Sequence, residues 1–260
     1  MGLATASRPR AFVRVAGPGA ADYLQRMVSN DVEALAPGES CEALLLTAKA
    51  RVIAPLRVLR RADDDFLLLT EPELGERVRA ELVRMRFAAK AEIEPEVHTS
   101  TLVFGAQPEG GIANRDYARE AWELLDADLD GERLSDVELE RLRIEAGTPR
   151  YGSEIDDRVL PAEAGLTERA VSFTKGCYPG QEPIARQQYR GKVNRRLRVL
   201  EVEGEVAPES EVRLGDKAVG RITSAVPGLA LAYVRTEVPD EAELAVDGQK
   251  ARLHWVSPRP

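Results

Sequence analysis

The stretch FTKGCYPGQEPIARQQYRGKVNRRLR, residues 173–198, places a thiol, an amine, glycines and a helix start in one short run. Gly176 and Gly180 let the backbone turn tightly on either side of Cys177. Pro183 suits the first turn of a helix, where a missing amide proton costs nothing, and Gly191 suits its end. A short helix is therefore predicted from about Glu182 to Tyr189, with Cys177 on the loop just ahead of it. The positive end of that helix and the ammonium of Lys175 would both favour thiolate, the nucleophilic form of cysteine. Glu182 opposes this in part, and its carboxylate can instead accept hydrogen bonds from a ligand's amino and ring N–H groups. Cys41, at the start of an apolar strand with no glycine loop beside it, reads as a small buried hydrophobe.

Residues 175–198 also carry Lys175, Arg186, Arg190, Lys192, Arg195, Arg196 and Arg198 against one acid, Glu182. Such a cluster can hold an anionic ligand tail or form a solvated strand face. Direct nucleic-acid binding is not expected, because the run lacks interleaved aromatics for base stacking and the whole chain carries a net charge of -8. The 2 histidines, His98 and His254, lie far apart with no ligand cluster around either, so no metal site and no histidine-based triad are expected. With only 2 cysteines a disulfide framework is improbable, and a reducing, cytoplasmic location fits. No apolar run has the length of a signal or a spanning segment, so no membrane association is expected.

Those side chains must be positioned by a core that 260 residues with 43% hydrophobic content can supply. Ala20, Tyr23, Leu24 and Met27 follow helical spacing between Pro18 and Val28. Apolar runs at 43–47, 52–59 and 66–69 predict strands of one sheet, with Asp63, Asp64 and Asp65 at a hairpin tip. Thr70 and Glu73 predict a capping box ahead of a helix through Val78 and Leu82, and Ser135 with Glu138 predicts another ahead of Leu139 and Leu142. Residues 105–122 read as a surface connection. From Asn194 onward, turn signals at Gly204, Pro208, Gly215, Gly228 and Gly248 separate about six short strands, which suggests a small barrel or sandwich. The fold class is α+β.

On these residues the chain resembles a known family. KGCYPGQE at 175–182, followed by Arg186 and Arg190-Gly191, resembles the K-G-C-Y-x-G-Q-E-x-x-A-R motif of the YgfZ-type folate-binding proteins. The likeness extends to YLQRMVSNDV at 23–32, LLLTAKARV at 44–52, RIEAGTPRYGSEI at 143–155, LPAEAGL at 160–166 and VGRITSA at 219–225. The later segments are also similar to the glycine-cleavage aminomethyltransferase, GcvT. The resemblance implies a GcvT-like ring of two α+β subdomains over residues 1–190, then a C-terminal antiparallel β-barrel over 191–260. It also implies tetrahydrofolate, or a one-carbon derivative, at the central opening. By position, Glu163 matches the glutamate that anchors the pterin ring and Arg186 a place near the folate. Tyr178, Gln181 and Glu182 belong to the motif, and Asn30, Asp31 and Lys49 lie in segments that line the opening.

The function so implied is that of a folate-binding accessory protein of iron-sulfur cluster assembly or repair, linked indirectly to tRNA modification. Cys177 and Lys175 would be its reactive pair, with the thiol at the folate site, and iron-sulfur proteins or their assembly factors its partners. The alternative is a folate-dependent aminomethyl or methyl transferase. Against it, the aminomethyltransferases carry a catalytic aspartate shortly after the strand matching 66–69, and residues 66–80 contain none. A second departure is Ala50, which stands where the family's L-L-x-P-K-G-R motif has glycine.

Overall fold

A computed structural model describes residues 2–254, apart from the side chain of Arg190. From the N-terminus, β1 (Ala4–Ser7) and β2 (Ala11–Ala16) precede α1 (Ala20–Met27), β3 (Ser40–Leu46), β4 (Val52–Ala62) and β5 (Asp65–Thr70). A 3₁₀ turn at Pro72–Leu74 opens α2 (Gly75–Met85), followed by β6 (Glu92–Glu96), β7 (Ser100–Phe104), β8 (Ile112–Asn114), β9 (Ala121–Leu125) and β10 (Glu132–Arg133). Next come α3 (Asp136–Glu145), α4 (Thr167–Ala170) and α5 (Gln181–Arg190). The remaining strands are β11 (Arg195–Val202), β12 (Glu211–Leu214), β13 (Lys217–Val226), β14 (Leu229–Arg235), β15 (Leu244–Val246) and β16 (Gln249–His254).

These elements form two five-stranded sheets, ordered β3-β4-β5-β2-β6 and β10-β1-β7-β9-β8, and one closed barrel, β11-β14-β13-β12-β15-β16. The chain therefore has two α+β units and a C-terminal barrel whose ladders are all antiparallel. In the first sheet β5 buries every residue from Phe66 to Thr70. An uninterrupted buried run means that both faces of the strand are covered. Phe66 and Leu68 pack with Leu24, Val78 and Leu82 of the helices, whereas Leu67 and Leu69 face Phe12 of β2 and Ile112 of the second unit.

The α1 stripe of Ala20, Tyr23, Leu24 and Met27 is buried as its spacing predicts. The Ser135–Glu138 capping box forms, and the barrel has the six strands that the turn signals mark. Two expectations are corrected. Thr70 does not cap a helix: its hydroxyl donates to the Pro55 carbonyl at 2.8 Å inside the sheet, and Glu71 precedes the turn without a side-chain cap. Residues 105–122 are not wholly a surface connection, since β8 and the start of β9 lie there and Ile112 joins the core.

The two sheets are linked through residues 97–99, where His98 bridges the units. Its Nδ1 lies 2.5 Å from Asp126 and its Nε2 2.8 Å from Glu96, while Arg61 holds Glu96 from the other side. Burial alone lowers the imidazole pKa, but the hydrogen bonds to Asp126 and Glu96 outweigh it and the net shift is upward. A raised histidine contributes stability that is present below its unfolded value near 6.5 and lost as pH rises through the folded one. The matching downward shifts of Glu96 and Asp126 are lost only in acid, below about pH 4. His98→Gln is therefore expected to lower stability by about 0.5–1 kcal/mol near pH 5.5 and by almost nothing at pH 9, as read by urea unfolding at the two pH values.

Candidate functional site

Between the two sheets, α3 and α4 lies a cavity of about 370 Å³. Its wall is made of paired charges from sequence positions far apart. Arg8 engages both oxygens of Glu71, at 2.7 and 3.1 Å, and Arg10 both oxygens of Glu123, at 2.9 and 3.0 Å. Arg169 of α4 bridges Glu42 and Asp116, both at 2.8 Å. Arg57 of β4 adds contacts to the same two carboxylates at 3.9 and 3.6 Å, and Arg10 approaches Asp116 at 3.8 Å.

Asp116 thus faces three guanidiniums. Burial alone raises its pKa, but Arg57, Arg169 and Arg10 hold it well below the usual carboxylate range. Glu123, fully buried, is likewise raised by burial, and the charge and hydrogen bonds of Arg10 outweigh this and hold it at about 2. At the barrel side, Arg143 of α3 reaches Glu140 at 2.7 Å, Glu154 at 3.0 Å and Ser224 of β13 at 2.8 Å. Tyr233 of β14 donates to the Glu154 carbonyl at 2.8 Å, so the barrel is fixed to the same network. Arg150, with 42% of its side chain exposed, pairs with Glu140 at the rim. Such a lining, cationic donors alternating with anionic acceptors, suits a flat polar ligand that offers both N–H groups and acceptor atoms.

The Cys177 loop is a separate place. The thiol is exposed and is not among the residues lining the cavity. Its loop is wedged by Gly180, which caps α5 at φ 84°. A Cβ there would lie 2.7 Å from the Thr47 carbonyl oxygen and 3.0 Å from Cα of Ala50, so only glycine fits. Ala50 itself adopts φ 57°, which explains the family's glycine at this place: here alanine takes the left-handed turn and its methyl group is buried.

The other residues singled out from sequence fall in several places. Lys175 is buried, and its ammonium donates to three backbone carbonyls, those of Gln25, Val28 and Asn30. Burial brings its pKa down to about 8, partly offset by Asp31, Cys41 and Glu33. Asn30 donates to the Glu42 carbonyl at 2.7 Å and Asp31 accepts from Gln25 at 3.0 Å, so the 30–31 segment meets Lys175. Tyr178 is buried in the core with Leu166 and Ile184, and Gln181 opens α5. Arg186 and Glu182 pair with each other at 2.7 Å on the exposed face of α5, and Lys49 is exposed. Glu163 accepts from Arg195 of the barrel and from the Leu160 amide, both at 3.2 Å. Neither these nine residues nor Cys177 line the cavity. Four members of the basic run have partners, since Arg198 pairs with Asp240 in addition to the contacts of Lys175, Arg186 and Arg195. Cys41 is half-buried against the first core, where burial pushes its thiol up to about 12.

Sequence reasoning missed Arg8, Arg10, Glu42, Arg57, Glu71, Asp116 and Arg169. Arg143 and Arg150 fall in a motif segment it quoted, and Arg57, Glu71 and Asp116 lie in stretches it read only as strand, capping turn and connection. Among the described residues, no group of His, Cys, Asp and Glu is placed to hold a metal ion, and no helix is long and apolar enough to cross a membrane.

This architecture is that of the aminomethyltransferase fold. The crystal structure of the glycine cleavage system aminomethyltransferase T from Bartonella henselae superposes with a TM-score of 0.85 at 18% identity, covering 98% of this chain and 86% of that one. The family model "CAF17, C-terminal beta-barrel domain" matches residues 194–258. The chain is 31% identical over 245 residues to the tRNA-modifying protein YgfZ of Edwardsiella ictaluri, covering 78% of this chain and 73% of that one. It is also 28% identical over 276 residues to a mitochondrial iron-sulfur cluster assembly factor of Mus musculus, with 88% and 76% covered. The chain belongs to the YgfZ family.

The ion-pair wall has a measurable cost of disruption. Arg10→Met would leave Glu123 buried with only Ser100 and Asn114 as partners. It is expected to lower unfolding free energy by about 3 kcal/mol in urea titrations, and Glu123→Leu added to it should recover most of that loss.

Proposed function

We propose that this protein holds a tetrahydrofolate-type cofactor in the central cavity and serves in the cytoplasm as an accessory factor of iron-sulfur cluster assembly or repair, and through it of tRNA modification. The relatives named above support the biological setting. The observation that carries the cofactor is the chemistry of the cavity wall. Its volume falls within the range of about 300–1,000 Å³ typical of small-molecule pockets. Its carboxylates match the amino and N–H groups of a pterin, and its guanidiniums match the ring carbonyl and the glutamyl tail.

When bound, a reduced folate would accept or supply a one-carbon unit at its N5 or N10 nitrogen. The protein's own residues bind and orient: Glu42 and Glu140 are acceptors on the wall, and half-exposed Arg150 is a cation at the rim for a carboxylate tail. Cys177 lies outside this cavity and faces solvent. Its thiol is thus suited to meet a macromolecular partner rather than the cavity ligand. One-carbon transfer is the weaker reading, because Glu71, the acid directly after β5, has both oxygens engaged by Arg8 and is poorly placed to move a proton.

Calorimetric titration with tetrahydrofolate and its formyl and methyl derivatives tests the cavity. Arg150→Ala is expected to weaken binding about tenfold, or about 1.4 kcal/mol, while Glu163→Ala and Cys177→Ala stay within about twofold of the native protein. The reverse pattern would move the ligand out of this cavity. Cys177→Ala should in addition fail to rescue a strain lacking its own protein of this family, and full rescue would reject the role given to the thiol.

A further inference from the structure

We propose that Lys175 is a positioning residue for Cys177: its ammonium pins the thiol loop to the corner between α1 and β3, and through that corner to the cavity wall. An ammonium has three N–H groups, and here the carbonyls of Gln25, Val28 and Asn30 receive them at 2.5, 2.7 and 2.9 Å. No donor remains to act on the thiol. The accepting carbonyls belong to the last turn of α1 and the residues just beyond it. Helix-end carbonyls lack intrahelical partners and carry partial negative charge, so a buried cation is well matched to them.

The same corner is tied to the thiol segment a second time. The Ser172 amide donates to the Ser29 carbonyl at 3.0 Å, and the Ser29 hydroxyl donates to the Ala170 carbonyl at 2.5 Å. On its other side the corner reaches the cavity. Asn30 donates to the Glu42 backbone carbonyl at 2.7 Å, and the Glu42 side chain is bound by Arg169 at 2.8 Å. Cys177 is therefore held between two fixed points, Lys175 two residues before it and Gly180, wedged against the 47–50 turn, three residues after it. Neither anchor touches the sulfur in order to act. Each fixes where the sulfur stands.

This inference rests on the reading of Cys177 as the working thiol, but its test needs neither folate nor partner, so the two can fail separately. Amide hydrogen exchange over residues 171–180 is measured for the native protein and Lys175→Ala, with and without added methylammonium, alongside the pH profile of Cys177 alkylation by iodoacetamide. In Lys175→Ala, exchange in this segment is expected to rise about tenfold while the barrel amides stay unchanged. Methylammonium should restore protection, and the alkylation profile should keep its midpoint. Exchange within about twofold of native, equal acceleration across the barrel, or an alkylation midpoint that moves upward as loss of a neighbouring cation demands would each overturn the proposal. Should Lys175→Ala fail to fold, reductive methylation of the native protein decides: Lys175 should be modified far more slowly than Lys49 and Lys192, and equal rates would overturn the clamp.

Discussion

The carboxylate of Asp116 is the point at which the parts of this molecule must agree. It lies between β8 and β9 of the second sheet and compensates Arg10 from the segment joining β1 to β2, Arg57 from β4 of the first sheet and Arg169 from α4. Taking any of these ions out of water costs several kcal/mol, and only mutual pairing offsets that cost. The charges can therefore be buried only when both sheets and α4 are in place together. Glu42 and Glu71 on the cavity wall, and Glu123 buried behind it, compensate the remaining arginine contacts. The result is a polar cavity whose wall is fixed before any ligand arrives.

That constraint separates two kinds of chemistry. Inside the ring, guanidiniums and carboxylates hold one another around a shaped space. Outside it, Cys177 stands on a loop tied to the cavity wall through side-chain-to-carbonyl hydrogen bonds, Lys175 to Asn30 and Asn30 to Glu42. A thiol so placed is exposed to large molecules, while a cavity of about 370 Å³ has the size for a small one. The aminomethyltransferase fold thus supports two sites that need not share a reacting atom.

Local patterns in the sequence were sufficient for elements whose signals lie within a few residues. The α1 stripe, the Ser135–Glu138 box, the six barrel strands and the short helix after Cys177 all follow from spacing and punctuation. Thr70 and Glu73 show the limit: the box-like spacing is present, but the Thr70 hydroxyl finds the Pro55 carbonyl across the sheet and the cap is not made. The cavity was illegible for a related reason. Arg10, Arg57, Asp116 and Arg169 come from four separate elements, and each one alone looks like an ordinary charged residue. Lys175 was noticed for its nearness to Cys177 in sequence, yet its nearest partners are some 150 residues away and its ammonium points to them. Ala50 in a left-handed turn could be suspected only from the glycine its relatives use.

The most direct measurement is a crystal structure of the protein with 5-formyltetrahydrofolate. The account requires the pterin to lie against Glu42, Arg57 and Arg169, with Asp116 still bound by its three arginines and the sulfur of Cys177 out of contact. Density for the pterin at Cys177 or Glu163, with only solvent in the central cavity, would contradict it.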